Sequence, residues 1–279
     1  AHSFPTRRSS DLMDKGTLIM NYVGHGGERG WAHERILEIP DIKQWTNYNS
    51  LPVFLTATCE FTRFDDPLIV TGGEEVFLNP NGGGIALFTT TRLAYSSSNY
   101  SLNTRFYRHV FETGENGYPR LGDLILHSKP PGSLTTRNFI LLGDPALRLA
   151  YPEYKVTTCE VSSNGNETAA DTIRAMDRVT VSGAITDTMG NVISGFNGII
   201  HPLIYDKPTA YSTLANDPGS SKAEFTMYDK VIHKGKASVV NGHFEFDFVV
   251  PADIAPSMGQ AKFSYYAWSD ELQTDAGGY

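Results

Sequence analysis

Three short apolar runs, at 17–23, 51–58 and 85–91, carry β-favouring residues without polar alternation. Such a run reads as a strand buried on both faces, the condition of a parallel sheet. Between and after them the spacing turns helical. Ile36, Leu37, Ile39, Ile42 and Trp45 predict a short amphipathic element with Pro40-Asp41 at its start, and 74–78 reads as a helix closed by the turn residues 79–84. Leu102, Phe106, Tyr107, Val110 and Phe111 predict a helix over 99–113, and a further helix is expected at about 120–127. Residues 138–149 read as strand, tight turn, strand. To about residue 150 the chain is therefore an α/β layer, a largely parallel sheet with flanking helices.

From Tyr151 helical spacing disappears. Alternating strands at 179–185, 199–205, 237–240, 243–250 and 261–268 are divided by turn residues at 187–190, Asn241-Gly242 and Pro251. This predicts an all-β immunoglobulin-like sandwich, with the two domains at 13–150 and 151–279.

Composition changes this picture in one place. Thr6-Arg7-Arg8-Ser9-Ser10-Asp11-Leu12 reads as the translated end of a common sequencing adapter, so residues 1–12 are set aside as an artefact and the natural protein is expected to begin upstream of Met13. The net charge of −8 becomes −9 once Arg7, Arg8 and Asp11 are removed, leaving 21 basic against 30 acidic residues. An acidic chain without a basic cluster is a poor nucleic-acid binder. No apolar run approaches the roughly 20 residues of a membrane-spanning helix. The two cysteines, Cys59 and Cys159, fall in different expected domains, which argues against a disulfide, and they are too few for a thiolate metal site.

Candidate chemistry lies at the strand ends. The first run leads into Gly24-His25-Gly26-Gly27 and the second stops at Cys59, and in parallel sheets functional groups sit just past the carboxyl ends of strands. A cysteine nucleophile needs a base to take its proton, which His25 supplies. It also needs backbone N–H donors for the oxyanion, and Gly26 with the amide of Cys59 are the natural pair. Taken alone, a buried cysteine is usually a small core residue and a lone histidine a hydrogen-bonded structural one. His33 is a rival base without flanking glycines. Trp31, Glu28, Arg29, His33 and Glu34 are candidates to shape a substrate pocket, as are Glu60 in the polar 60–67 loop and Arg92 in the serine-rich 92–99 loop. The carboxylates of 60–67 have two readings, orienting the histidine or reading a basic substrate group on one side, solvated loop charge and helix cap on the other. Gly82-Gly83-Gly84 precedes a strand, the wrong order for a phosphate loop, and Gly143-Asp144-Pro145 is first of all turn chemistry.

Asn21-Tyr22-Val23-Gly24-His25-Gly26, Trp31 and the downstream Thr56-Ala57-Thr58-Cys59 resemble the gingipain branch of the caspase-like cysteine peptidases. The resemblance implies a caspase-like fold, His25 as general base and acid, Cys59 as nucleophile and Gly26 as oxyanion donor. Thr58 departs from the alanine common before the cysteine. Residues 139–149, 179–207, 234–242 and 249–254 further resemble the gingipain-related sortases of the type IX secretion system in Bacteroidetes. That likeness implies an enzyme at the cell surface, on the outer face of the outer membrane. It would act beside other type IX secretion components, cleaving the C-terminal signal domain of cargo proteins and joining the cargo to anionic lipopolysaccharide, with no cofactor. The alternatives are a secreted gingipain-type protease and a non-catalytic caspase-like scaffold whose β-domain binds a partner.

Overall fold

The computed structural model describes residues 12–114, 117–129, 135–164, 172–216 and 219–279. Residues 1–11 of the segment set aside as an artefact lie outside the described residues. Its contacts divide the chain into two compact units, meeting between Tyr151 and Pro152.

The first unit runs through β1 (Ile19–Val23), a small ribbon of β2 (Gly26–Gly27), β3 (Gly30–Trp31) and β4 (Leu37–Glu38), then α1 (Ile39–Ile42) and β5 (Val53–Ala57). It continues through α2 (Gly72–Leu78), β6 (Ala86–Thr90), α3 (Ser96–His109), α4 (Leu121–Ser128) and β7 (Phe139–Leu142). The main sheet has the order β1-β5-β6-β7, with β1, β5 and β6 parallel and β7 antiparallel to β6.

Every residue of β5 and β6 is buried, which is why their sequences show no polar alternation. Side chains still alternate, between two separate cores. Val53, Leu55, Ala57, Ala86 and Phe88 join Leu102, Phe106 and Val110 and the α4 residues Leu121 and Leu124 on one face. Phe54 and Leu87 join Trp31, Ile42, Trp45, Phe61 and Val76 on the other.

Four expectations shift. The first apolar run, read as buried on both faces, forms β1 at the edge of the sheet, where Asn21 and Val23 are exposed. α2 begins at Gly72 rather than Glu74, because Thr71 and Glu74 form a reciprocal capping box at its start. α3 starts three residues earlier than expected and ends at His109. Of the expected strand pair at 138–149 only the first is a strand; the second is reduced to a single bridge between Arg148 and Arg120, because Asp144 accepts the Ala146 N–H at 2.8 Å and turns the chain away.

The second unit comprises β8 (Tyr154–Ser163), β9 (Arg178–Thr186), β10 (Gly198–Tyr205), β11 (Thr209–Ser212), β12 (Glu224–Met227), β13 (Val231–Lys234), β14 (Ala237–Val240), β15 (His243–Val249), β16 (Lys262–Ser269) and β17 (Thr274–Gly278). It is all-β, but its pairing differs from a sandwich of two separate sheets. β10 is bonded on both edges, to β16 on one and to β14 and β13 on the other, and β17 pairs in parallel with β8. The hydrogen bonds thus run in one circuit through seven strands, β10-β14-β15-β9-β8-β17-β16, and back to β10. Closure leaves these strands few free edges.

Phe244, Phe246 and Phe248 of β15 alternate into the core with Val179 and Val181 of β9 and Ile200 and Ile204 of β10. Asn241-Gly242 turns the β14–β15 hairpin with both residues at positive φ, 51° and 79°, as a two-residue primed turn requires. β8, β13, β17 and the β11–β12 hairpin carry no apolar run that would announce them. Cys159 lies exposed in β8, at a shift in its register with β9.

Hydrogen bonds hold two turn and strand carboxylates of this unit in the charged form. The Asn191 side chain depresses Asp187 below the ordinary 3.8, and the Thr180 hydroxyl followed by Arg178 does the same for Asp247. A depressed carboxylate stabilises the fold at pH above its unfolded value and loses that contribution as pH falls through the folded one. Unfolding of the chain followed between about pH 5 and about pH 3 should therefore show an acid-side loss of stability, smaller in Asp187→Asn and Asp247→Asn. An unchanged acid dependence in both variants would remove these carboxylates as its source.

Candidate functional site

The register of the parallel strands sets the site. Val23 pairs with Ala57, and Leu55 with Phe88, so the ends of β1, β5 and β6 lie side by side. His25, Cys59 and Arg92 each stand two residues beyond the end of their strand, on one sheet edge.

His25 is exposed, and its loop is tightly held. Its carbonyl accepts the Ala32 N–H at 2.7 Å and the Tyr22 hydroxyl at 2.5 Å. Burial, with Glu34 nearby, raises the Tyr22 hydroxyl above its ordinary value. The Tyr22 ring stacks on Trp31 at 4.6 Å between centroids. The His33 ring lies 5.5 Å from that of His25, so the two histidines share the loop.

Gly26 is where this loop meets the cysteine strand. A Cβ there would fall 2.5 Å from the Thr58 Oγ1 and 3.0 Å from the Gly30 carbonyl oxygen, so only glycine fits without displacement. The Thr58 hydroxyl itself is buried and makes no hydrogen bond among the described residues.

Cys59 is half-buried on a turn built from threonines. The Thr90 hydroxyl donates to the Thr58 carbonyl, the Thr62 N–H donates to the Thr90 carbonyl at 2.9 Å, and the Thr62 and Thr89 hydroxyls meet at 2.8 Å. Glu60, at φ 53°, donates its N–H to the Arg92 carbonyl at 3.3 Å. The Cys59 Sγ faces the Ala94 peptide, donating to its carbonyl at 3.4 Å and accepting its N–H at 3.5 Å. Among the described residues no hydrogen bond joins Cys59 to His25. Hydrogen bonds between catalytic groups are commonly long before substrate binds, so the shared edge is the informative feature.

The charged residues of the edge are largely paired with one another. The Arg63 guanidinium lies 2.9 Å from Glu28 of the histidine loop, 3.6 Å from Asp66 and 3.9 Å from Glu60. Arg92 grips Asp65 through two hydrogen bonds, 2.9 and 2.5 Å, and this contact holds the Asp65 carboxyl below its ordinary value. Arg92, expected to face substrate, thus has its charge engaged internally. Trp31, expected as a pocket wall, does line the hollow of the β2-β3-β4 ribbon, but it is only 4% exposed and belongs mainly to the core beneath the histidine loop, stacked on Tyr22 and packed on Phe54 and Phe61. Its size and flat faces are spent on packing. Glu60 stays at the edge beside the cysteine, its nearest cation being Arg63.

Sequence reasoning missed the Ala94 peptide and the Glu28–Arg63 pair. The first is a backbone contact that no residue type signals, and the second joins residues 35 apart in sequence. Among the described residues no three His, Cys, Asp or Glu side chains gather as a metal site. The arrangement offers a thiol, an imidazole and backbone amides on one solvent-accessible edge, the parts that acyl transfer through a thioester needs.

Residues 4–150 match the model of peptidase family C25, a match that begins inside the segment set aside as an artefact. Among solved structures, dimeric latent PorU from Porphyromonas gingivalis is similar at 24% identity over 69% of this chain and 19% of that one, with a TM-score of 0.41. The complex of P. gingivalis RgpB pro- and mature domains is similar at 16% identity over all of this chain and 58% of that one, TM-score 0.47. The Arg-specific cysteine proteinase gingipain R (RgpB) gives 16% identity, all of this chain, 57% of that one and 0.48. This chain therefore spans about a fifth of the first and under three fifths of the other two. No curated protein matches it.

Two outcomes follow from the edge geometry. Gly26→Ala should push the histidine loop off Thr58 and slow alkylation of Cys59 by a peptide-based thiol reagent at least about tenfold, with removal of the hydroxyl in Gly26→Ala/Thr58→Ala restoring part of the rate. Equal rates in wild type and Gly26→Ala would show that the close approach is not needed. A double-mutant cycle with Glu28→Gln and Arg63→Met should give a coupling of about 1 kcal/mol in urea unfolding, modest because the two side chains remain 21% and 37% exposed. Strictly additive single effects would leave the two loops uncoupled.

Proposed function

The chain belongs to peptidase family C25, the gingipain-type cysteine peptidases, and from that premise we propose that it cleaves peptide bonds with Cys59 as nucleophile and His25 as general base and acid. The observation that carries this reading is the Val23–Ala57 register, which leaves His25 and Cys59 equally far past neighbouring strand ends, with Gly26 packed against Thr58 between them.

In the proposed reaction the Cys59 thiol passes its proton to His25 as the sulfur attacks the scissile carbonyl carbon. The sulfur first turns away from the Ala94 peptide. The amides of Gly26 and Cys59 donate to the oxyanion, each such donor being worth about 10²- to 10³-fold in rate. The C–N bond then breaks, His25 hands the proton to the departing amine, and a thioester remains on Cys59. Water resolves it in hydrolysis and an amine resolves it in transpeptidation.

The sequence resemblance favours the second outcome. The substrate would be the C-terminal signal domain of type IX secretion cargo, the acceptor anionic lipopolysaccharide, and the setting the cell surface beside other secretion components. A secreted degradative protease shares every step up to the thioester. One observation favours a non-catalytic scaffold instead: the sulfur is hydrogen-bonded to Ala94 and not to His25. In either case the β-unit would brace the enzyme or present it to a partner.

Covalent labelling of Cys59 by an activated peptide thiol probe, read by intact mass, tests the assignment. Labelling should vanish in Cys59→Ala and slow by about 10²- to 10⁴-fold in His25→Ala. Labelling that persists in Cys59→Ala, or none at all in folded wild type, would leave the scaffold reading.

A further inference from the structure

The β2-β3-β4 ribbon surrounds a cavity of about 460 Å³ lined by residues that include Gly26, Glu28, Arg29, Trp31, His33 and Arg35. Its volume suits one or two side chains. Its charges are unequally matched. Glu28 is bonded to Arg63 at 2.9 Å, and Glu38, also on the lining, lies 3.6 Å from Arg35. Arg29, at the tip of the β2–β3 turn, has no carboxylate within ion-pair distance among the described residues, although the chain carries an excess of acid. Arg35, Arg63 and Arg92, its neighbours in this sheet-edge region, each have one. The lining also offers the exposed His33 imidazole. Arg29 is therefore the unmatched cation of this lining, and it presents the planar fork that a carboxylate fits with two hydrogen bonds.

We propose that this cavity receives an acidic side chain of the peptide substrate, held by Arg29 with His33 beside it. The placement rests on the peptidase reading, because the cavity shares Gly26 with the histidine loop and the His33 ring lies 5.5 Å from that of His25. A peptide engaged at His25 and Cys59 has a side chain within reach of it. The acidic residue accordingly sits close to the scissile bond.

The test uses the whole chain as Cys59→Ala, titrated by calorimetry with a capped alanine pentapeptide carrying glutamate at its centre, with its glutamine twin, and with inorganic phosphate. The glutamate peptide should bind about tenfold more tightly than the glutamine one, Arg29→Gln should abolish the difference, and Arg29→Lys should keep part of it. Equal binding of the two peptides, or a preference that survives Arg29→Gln, overturns the proposal. Phosphate that binds as tightly as the glutamate peptide and displaces it also overturns it, in favour of a free-anion site. Labelling of Cys59 in the wild-type chain is read separately. A glutamate preference without labelling sustains the pocket and removes the peptidase reading, whereas labelling without a preference does the reverse.

Discussion

Burial of β5 and β6 on both faces is the constraint from which the rest of the first unit follows. A strand covered by helices on each side reaches solvent only at its ends, so any group that must meet a substrate has to lie just beyond one. Parallel pairing then aligns those ends: once Val23 is opposite Ala57, His25 and Cys59 stand level on adjacent strands. A one-residue slip would exchange the residues facing the two cores, moving Phe54 and Leu87 out of one and Val53, Leu55 and Phe88 out of the other. The site's geometry is therefore protected by the same hydrophobic packing that stabilises the sheet.

Loops at such an edge need their own restraints, and here they are short-range and polar. The histidine loop is held by the Tyr22 hydroxyl, by Trp31 beneath it, and by Glu28, whose carboxylate meets Arg63 and whose carbonyl accepts the Gly72 N–H at 2.6 Å. The cysteine turn is held by the threonines of β6 and of its own loop, and by the Arg92 carbonyl. Partly exposed ion pairs contribute little to global stability. Their effect at the edge is positional, and among the described residues they leave Arg29 without a carboxylate partner.

The second unit solves the edge problem differently. Its hydrogen bonds run in a circuit, with alternate residues of β9, β10, β15 and β16 turned inward. The phenylalanines of β15 and the valines of β9 marked that inside in the sequence. The closing contacts, β10 with β16 and β17 with β8, join segments far apart along the chain and leave no periodic trace.

What the sequence determined by itself was the set of elements and their polarity: three unalternating apolar runs, the amphipathic spacing of α3, the Asn241-Gly242 turn, and His25 and Cys59 at strand ends. Those signals are local, written in residue type and period. Tertiary structure decided what local pattern does not encode. It buried Trp31 in a core, spent Arg92 on Asp65, turned the Cys59 sulfur to a backbone amide of another loop, and closed β-strands into a circuit where alternation alone had suggested two sheets. The physical reason is the same in each case: which groups a side chain or strand edge meets depends on residues tens of positions away, brought there by packing.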